Sequence, residues 1–355
     1  MARSVRRARA AGKRAKLDET ARCCHARVMD RVRAARYALT GTPAEVVACE
    51  EIPVPPPGPG EVRVRMICAP VNPADLNMLE GKYGEARPLP DTPGNEGLGE
   101  VIACGEGAEA SLVGRRVLVG SEAWRDQGNW PVADLIIVPP GLDDRQACML
   151  RVNPPTAWLL LHRFAVLDRG AWIAQNAATS GVGRAVIEIA KAAGWKTFNV
   201  VRRPEAAAEL QTLGADAVAV DGPEFTEQAR TLLAGVRPRL GLNAVGGAAA
   251  TRLAGLLADG SPLVTYGAMS REALKVPNGF LIFRDLVFRG FWLTRWLREA
   301  SAAQRADVYT AVFRLAAAGA FAPRVAAEFA LEQVKDAVAA TASGVPGKVL
   351  LRLGD

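Results

Sequence analysis

Histidine is almost missing from this chain: its 355 residues include two, His25 and His162. A zinc site would have to gather cysteines and carboxylates from scattered positions, so none is expected. The six cysteines, at positions 23, 24, 49, 68, 104 and 148, include one adjacent pair and follow no secretory signal. That pattern argues against a disulfide framework and for a reducing compartment. No apolar run approaches the ~20 residues of a membrane span, because the longest are broken by Arg284, Asp285 and Arg289 or by His162 and Arg163. There is no internal repeat, and 50% hydrophobic content with 23% charge excludes disorder throughout. The length suits two domains with ample cores.

The net charge of +7 belongs to one end of the chain. Residues 1–36 hold 12 Lys/Arg against 3 Asp/Glu, and the remainder holds 32 against 34. A nucleic-acid partner for the body therefore loses its main support, and no recognition motif with interleaved aromatics replaces it. Residues 1–36 have few apolar anchors and are expected to be a disordered extension or a frayed helix. Three explanations stand: a mitochondrial transit peptide, diluted by Asp18 and Glu19; a phosphate-contacting arm; or a segment upstream of a start at Met29. The last is favoured, with a cytoplasmic location, and the mitochondrial matrix is the alternative.

Residues 37–150 carry short strands separated by Gly and Pro. In Glu61–Cys68, Val62, Val64 and Met66 take one face and Arg63 and Arg65 the other. Further strands at 98–104, 116–119 and 134–138 complete a small β-barrel. After about residue 150 strands and helices alternate through 171–267, which reads as a doubly wound parallel sheet. A strand at 286–293, helices around 302–319 and 331–342, and a strand at 348–353 follow.

Trp172–Gly194 is the pivot of the second half. A short apolar strand enters a small-residue turn, and a stripe of Val182, Ala185, Val186, Ile189, Ala190 and Ala193 then marks an amphipathic helix. Such a turn offers free N–H groups and a positive helix end to a phosphate, although Gly181 and Gly183 are preceded by Ala177, Ala178 and Ser180. The next strand ends in Arg202 and Arg203, where an acid would bind a ribose 2′-hydroxyl. Two arginines suit a 2′-phosphate, hence NADP over NAD, or are solvated loop residues. Tyr83 sits in a polar, turn-rich segment; it is either a surface residue or a weak acid able to protonate an enolate. Asn243–Gly247 and Tyr266–Met269 are strand ends that open into small residues. Trp292 belongs either to an apolar pocket or to a domain interface.

Together these segments resemble the medium-chain dehydrogenase/reductase superfamily, and within it the mitochondrial-type trans-2-enoyl-CoA reductases. The likeness runs from about residue 37 to the end. It is carried by Val71-Asn-Pro-Ala-Asp-Leu-Asn-Met-Leu-Glu-Gly-Lys-Tyr-Gly84, Gly94-Asn-Glu-Gly97, Val152-Asn-Pro-Pro-Thr-Ala157, Gln175-Asn-Ala177, Ser180-Gly-Val-Gly183, Asn199-Val-Val-Arg202, Asn243-Ala-Val-Gly-Gly247, Tyr266-Gly-Ala-Met269 and Gly290-Phe-Trp-Leu293. Ser180–Gly183 matches the subfamily's own turn. Ala268, where a second glycine is usual, and the segment 121–130 depart from its pattern.

The resemblance implies an α/β chain: a GroES-like β-barrel catalytic domain at 37–150, an inserted Rossmann domain at 151–290, and a return to the catalytic domain at 291–355. It implies NADPH as cofactor, contacted by Asn153, Ser180, Gly181, Val182, Gly183, Arg202, Arg203, Tyr266, Gly267, Ala268, Met269, Phe291, Trp292, Leu293, Thr294 and Lys348. Tyr83 would be the proton donor, and Asn72, Phe291 and Trp292 would line the substrate pocket. Zinc alcohol dehydrogenases of the superfamily carry a Cys and a His around the positions of Asn72–Asp75 and Asn95; neither is present, nor is a four-Cys lobe. The implied reaction is reduction of an enoyl-CoA or enoyl-acyl carrier protein in fatty acid synthesis by a homodimer. The alternatives are a zinc-independent quinone or alkenal reductase and a non-catalytic dinucleotide-binding protein.

Overall fold

A computed structural model describes residues 29–354. The first half opens with β1 (Asp30–Arg36), a short α1 (Pro43–Val46) and β2 (Ala48–Val54). Strand β3 (Glu61–Val71) follows, then α2 (Pro73–Leu79), β4 (Gly97–Cys104), β5 (Arg116–Val119), β6 (Gln127–Pro131) and β7 (Ile136–Ile137). Helix α3 (Asp144–Ala147) leads to α4 (Asn153–Arg163).

The extension expected over 1–36 is too long. Residues 1–28 lie outside the described residues, but 30–36 form β1, antiparallel to β2 with Asp30 opposite Val54. The reason is amphipathic alternation: Val32 and Ala34 turn inward, while Arg31 reaches Glu51 and Arg33 reaches Asp126. Ala35 then bonds its N–H to the Trp124 carbonyl at 2.8 Å and joins the barrel core.

The long β3 organises the barrel because it pairs with β4, β6 and the last strand of the chain. Val62, Val64 and Met66 are buried as expected from alternation, but Arg63 is buried as well. Its guanidinium is held by Asn129 at 2.7 Å and Asp30 at 3.0 Å, so the outer face of β3 lies beneath β1, β2 and their connections.

The second sheet takes β8 (Trp172–Gln175), α5 (Gly181–Ala193), β9 (Lys196–Val201), α6 (Ala206–Leu213) and β10 (Ala217–Val220). It continues with α7 (Phe225–Leu233), β11 (Leu240–Asn243), α8 (Gly247–Leu256), β12 (Pro262–Thr265), α9 (Asn278–Ile282) and β13 (Val287–Gly290). All six strands are parallel in the order β10-β9-β8-β11-β12-β13. Leu160 of α4 and Val186 and Ile189 of α5 pack one face, with Leu240 and Val264. Phe225 of α7 and Leu253 of α8 pack the other, with Phe198.

The chain then runs through α10 (Leu293–Glu299), α11 (Ala302–Ala317), β14 (Val325–Ala330), α12 (Val334–Ala342) and β15 (Lys348–Arg352). Strand β15 lies antiparallel to β3, which returns the C-terminus to the first half. The strand expected over 286–293 is shorter than its apolar run, because α10 starts at Leu293.

Candidate active site

Strand order reverses between β8 and β11, so a crevice opens at their carboxyl ends. A buried amide lattice builds its floor. Asn176 donates to Asn243 Oδ1 at 2.8 Å and accepts from the Ala244 N–H at 2.7 Å, while Asn243 donates to Thr265 Oγ1 at 3.0 Å. Gln175 donates to Asn199 Oδ1 at 2.7 Å and to the Gly183 carbonyl at 2.9 Å. Buried amides are rarely left unpaired, and in this lattice Gln175 Oε1 alone lacks a partner among the described residues. Here the pairing locks four strand ends and the start of α5 into one rim.

Ser180 caps α5, its Oγ accepting the Gly183 N–H at 3.1 Å. The N–H groups of Gly181 and Val182 have no acceptor among the described residues. A Cβ on Gly183 would stand 2.7 Å from the Ala177 carbonyl oxygen, so only glycine lets the turn close this tightly. The Tyr266 hydroxyl is shut off from solvent without a well-formed hydrogen bond, although Ser180 stands beside it, and burial raises its pKa. Arg202 and Arg203 are exposed beyond β9 and carry no ion pair among the described residues. Free amides at a helix start, an unpartnered buried hydroxyl and two unpaired arginines one strand away fit a dinucleotide with an additional phosphate.

A cleft of about 1030 Å³ lies on the barrel side of this rim. Tyr83 and Trp292 both line it, from opposite halves of the chain. Trp292 Nε1 donates to the Tyr83 hydroxyl at 3.1 Å, and the rings meet edge to face with centroids 6.1 Å apart. The phenol oxygen thus accepts from the indole, which leaves the phenolic hydrogen free to be given elsewhere. The loop bearing Tyr83 is tied across the cleft by Glu85 to Arg298 at 2.6 Å and by Glu80 to Arg271 at 2.8 Å. These exposed pairs set geometry more than stability.

Beneath the cleft is a charged cluster. Asn72 begins α2, and Asp75 closes a capping box with it. The Asp75 carboxylate accepts from the Asn72 N–H at 2.8 Å and from Asn95 N–H and Nδ2 at 2.9 and 2.7 Å. Glu96 accepts from Asn72 Nδ2 at 2.8 Å and from the Val152 N–H at 2.9 Å. Lys348 donates to Asn72 Oδ1. Burial lifts Asp75 to about 6 and Glu96 to about 7, and it lowers Lys348.

Residues 58–133 match the family described as the alcohol dehydrogenase GroES-like domain, and residues 181–311 match the zinc-binding dehydrogenase family. The mouse protein named mitochondrial enoyl-[acyl-carrier-protein] reductase is 40% identical over 279 residues, covering 76% of this chain and 75% of that protein. The human protein of the same name is 36% identical over 319 residues, covering 88% and 86%. The chain belongs to the mitochondrial-type enoyl reductase family.

Among solved structures, this member of the enoyl reductase family matches the 2-enoyl thioester reductase Etr1p/Etr2p heterodimer from Candida tropicalis. That match has a TM-score of 0.81 at 28% identity and covers 91% of this chain and 100% of that one. It also matches a protein described as an NADPH:quinone reductase from Bacillus thuringiensis, with a TM-score of 0.85 at 26% identity and coverage of 91% and 99%. Among the described residues, no group of three or more His, Cys, Asp or Glu is placed to hold a metal ion.

Of the residues expected on the cofactor, Ser180 to Gly183 and Tyr266 to Met269 stand at the carboxyl ends of β8 and β12, while Trp292, Leu293 and Thr294 line the cleft. Backbone bonds join Tyr266 to Asn243 and Met269 to Ala244. Asn153 packs on Gly181. Of the expected pocket residues, Asn72 and Trp292 line the cleft and Phe291 does not. Successive side chains of an extended segment point oppositely, so Phe291 turns to Phe164, with ring centroids 5.9 Å apart. Lys348, expected on NADPH, is directed at Asn72 and the two carboxylates. Sequence reading missed Glu96 and Asp75. The Asn-Pro-Ala-Asp spacing of a capping box was the available signal for Asp75. An acid isolated among glycines was the signal for Glu96.

Proposed function

We infer that this protein uses NADPH to reduce the conjugated double bond of a trans-2-enoyl thioester, carried on CoA or acyl carrier protein, in fatty acid synthesis. The observation that carries this reading is the Tyr83 hydroxyl, which lies in the cleft, accepts from Trp292 and keeps its own proton to give. Its relatives are named enoyl-[acyl-carrier-protein] reductases, and a solved relative is described as a complex with NADP and crotonyl-CoA.

NADPH supplies a hydride for the β-carbon. Ser180 to Gly183 would hold its phosphates and Arg202 and Arg203 its 2′-phosphate, and the bound cofactor would offer the buried Tyr266 hydroxyl a partner. Tyr83 then protonates the α-carbon, and the Trp292 N–H stabilises the phenolate left behind. Asn72 has one amide hydrogen uncommitted and faces the cleft, where it can stabilise an enolate oxygen. Replacing Tyr83 with Phe tests the assignment. Enoyl-thioester turnover should fall by about 100-fold or more with NADPH affinity kept; unchanged turnover removes Tyr83 from the mechanism. A quinone or alkenal reductase is the second reading, favoured by the Bacillus match, and it predicts activity that survives this change.

A homodimer is the assembly that the edge strand β13 and the exposed Ile282 and Phe283 beside it support. The cytoplasmic reading with a start at Met29 stands beside a mitochondrial one, which the relatives' names support. The mass of the mature N-terminus separates the two.

A further inference from the structure

Two ligands held by different halves of a chain react only if those halves are kept in register, and one buried carboxylate spans both halves here. Glu96 Oε1 accepts from Asn72 Nδ2 at 2.8 Å, and Oε2 accepts from the Val152 N–H at 2.9 Å. Asn72 belongs to the floor of the substrate cleft. Val152 immediately precedes α4, whose first residue, Asn153, sits so close to Gly181 that a Cβ there would lie 3.0 Å from the amide carbon. The path therefore runs from cleft floor to carboxylate to helix to phosphate turn. Asn72 and Glu96 are both buried.

We propose that Glu96 is a positioning residue for hydride transfer, clamping the substrate floor to the cofactor-side helix. This rests on the reductase reading above. Both of its partners are N–H donors, so both oxygens must accept. A carboxamide or a protonated carboxyl has one good acceptor and turns hydrogen toward the other donor. Only the carboxylate makes both ties.

The groups around it are Lys348 of β15, which favours the charge, and Asp75 of α2, which opposes it. Cys148, after α3, and Tyr309 of α11 also feel its charge. With Glu96 pushed up to about 7, mild acid converts one acceptor to a donor and releases one tie.

The test is Glu96→Gln in the full chain, with kcat and KM measured on crotonyl-CoA and NADPH Kd measured by fluorescence titration, from about pH 6 to about pH 8.5. A clamp between two bound ligands acts on their reaction and not on the binding of either. kcat should fall about 30-fold, with NADPH Kd and crotonyl-CoA KM within about 3-fold of wild type. The wild type should lose kcat below about pH 7, and the variant should show no such limb. An unchanged kcat, or Kd and KM that rise as much as kcat falls, overturns the proposal. If the variant does not fold, Lys348→Met decides. Removing the cation should move the acidic limb of kcat to higher pH by about one unit, and an unmoved limb overturns the clamp. A wild type that reduces quinones or alkenals but no enoyl thioester overturns the substrate reading alone, and the same kcat split with that acceptor still judges Glu96.

Discussion

The Trp292 indole donates to the Tyr83 hydroxyl at 3.1 Å across 209 residues of sequence. A donor on the phenol oxygen fixes where its hydrogen points. Trp292→Phe keeps a ring against Tyr83 and removes the donor. kcat on enoyl thioesters should fall about 5- to 20-fold. Adding it to Tyr83→Phe should cost little more, since the interaction is already gone; steady-state kinetics of the three variants check this.

Arg202 and Arg203 stand exposed after β9 without carboxylate partners among the described residues. Replacing both with Ala should raise the KM for NADPH by about 10- to 100-fold and leave the KM for NADH nearly unchanged. The ratio of the two constants is the measurement. An equal rise in both would mean that the arginines act on the fold and not on the 2′-phosphate.

Burial raises Glu96 to about 7 and Asp75 to about 6, above the values they have in an unfolded chain. Between the unfolded and folded values the native state holds protons that the unfolded state has released, so stability falls as pH rises through that window. Denaturant unfolding from about pH 4.5 to about pH 7.5 should show this decline, and Glu96→Gln should flatten its upper part. Activity should move the opposite way over the same range, because the clamp needs the carboxylate.

Strand β13 is the last in its sheet, and Ile282 and Phe283 just before it are 70% and 82% exposed. An unpaired edge beside bare apolar side chains is suited to a second copy of the same edge. Ile282→Asp with Phe283→Asp should halve the sedimenting mass. A mass already monomeric in the wild type would refute this assembly.

Local pattern made much of the molecule readable. The α5 stripe from Val182 to Ala193 needs only a period of 3.6 residues, and the inward Val62, Val64 and Met66 need only a period of 2. Where a side chain's surroundings come from distant segments, period says nothing. Arg63 alternates outward yet is buried, because Asp30 and Asn129 come over it. Residues 30–36 look like more of a basic extension until β2 is there to pair with them.

The sequence by itself determined the two kinds of sheet and the small-residue turn that opens α5, which depend on contacts within a few tens of residues. Only the tertiary structure decided that Trp292 and not Phe291 faces the cleft, and that Tyr83 meets it there. Only the tertiary structure gave Glu96 its two partners, 24 and 56 residues away, and placed Lys348 beneath Asn72, 276 residues from it. The physical reason is the same in each case. Long-range packing settles the direction of a side chain and the loss of water around a charge, and neither is written in the neighbouring sequence.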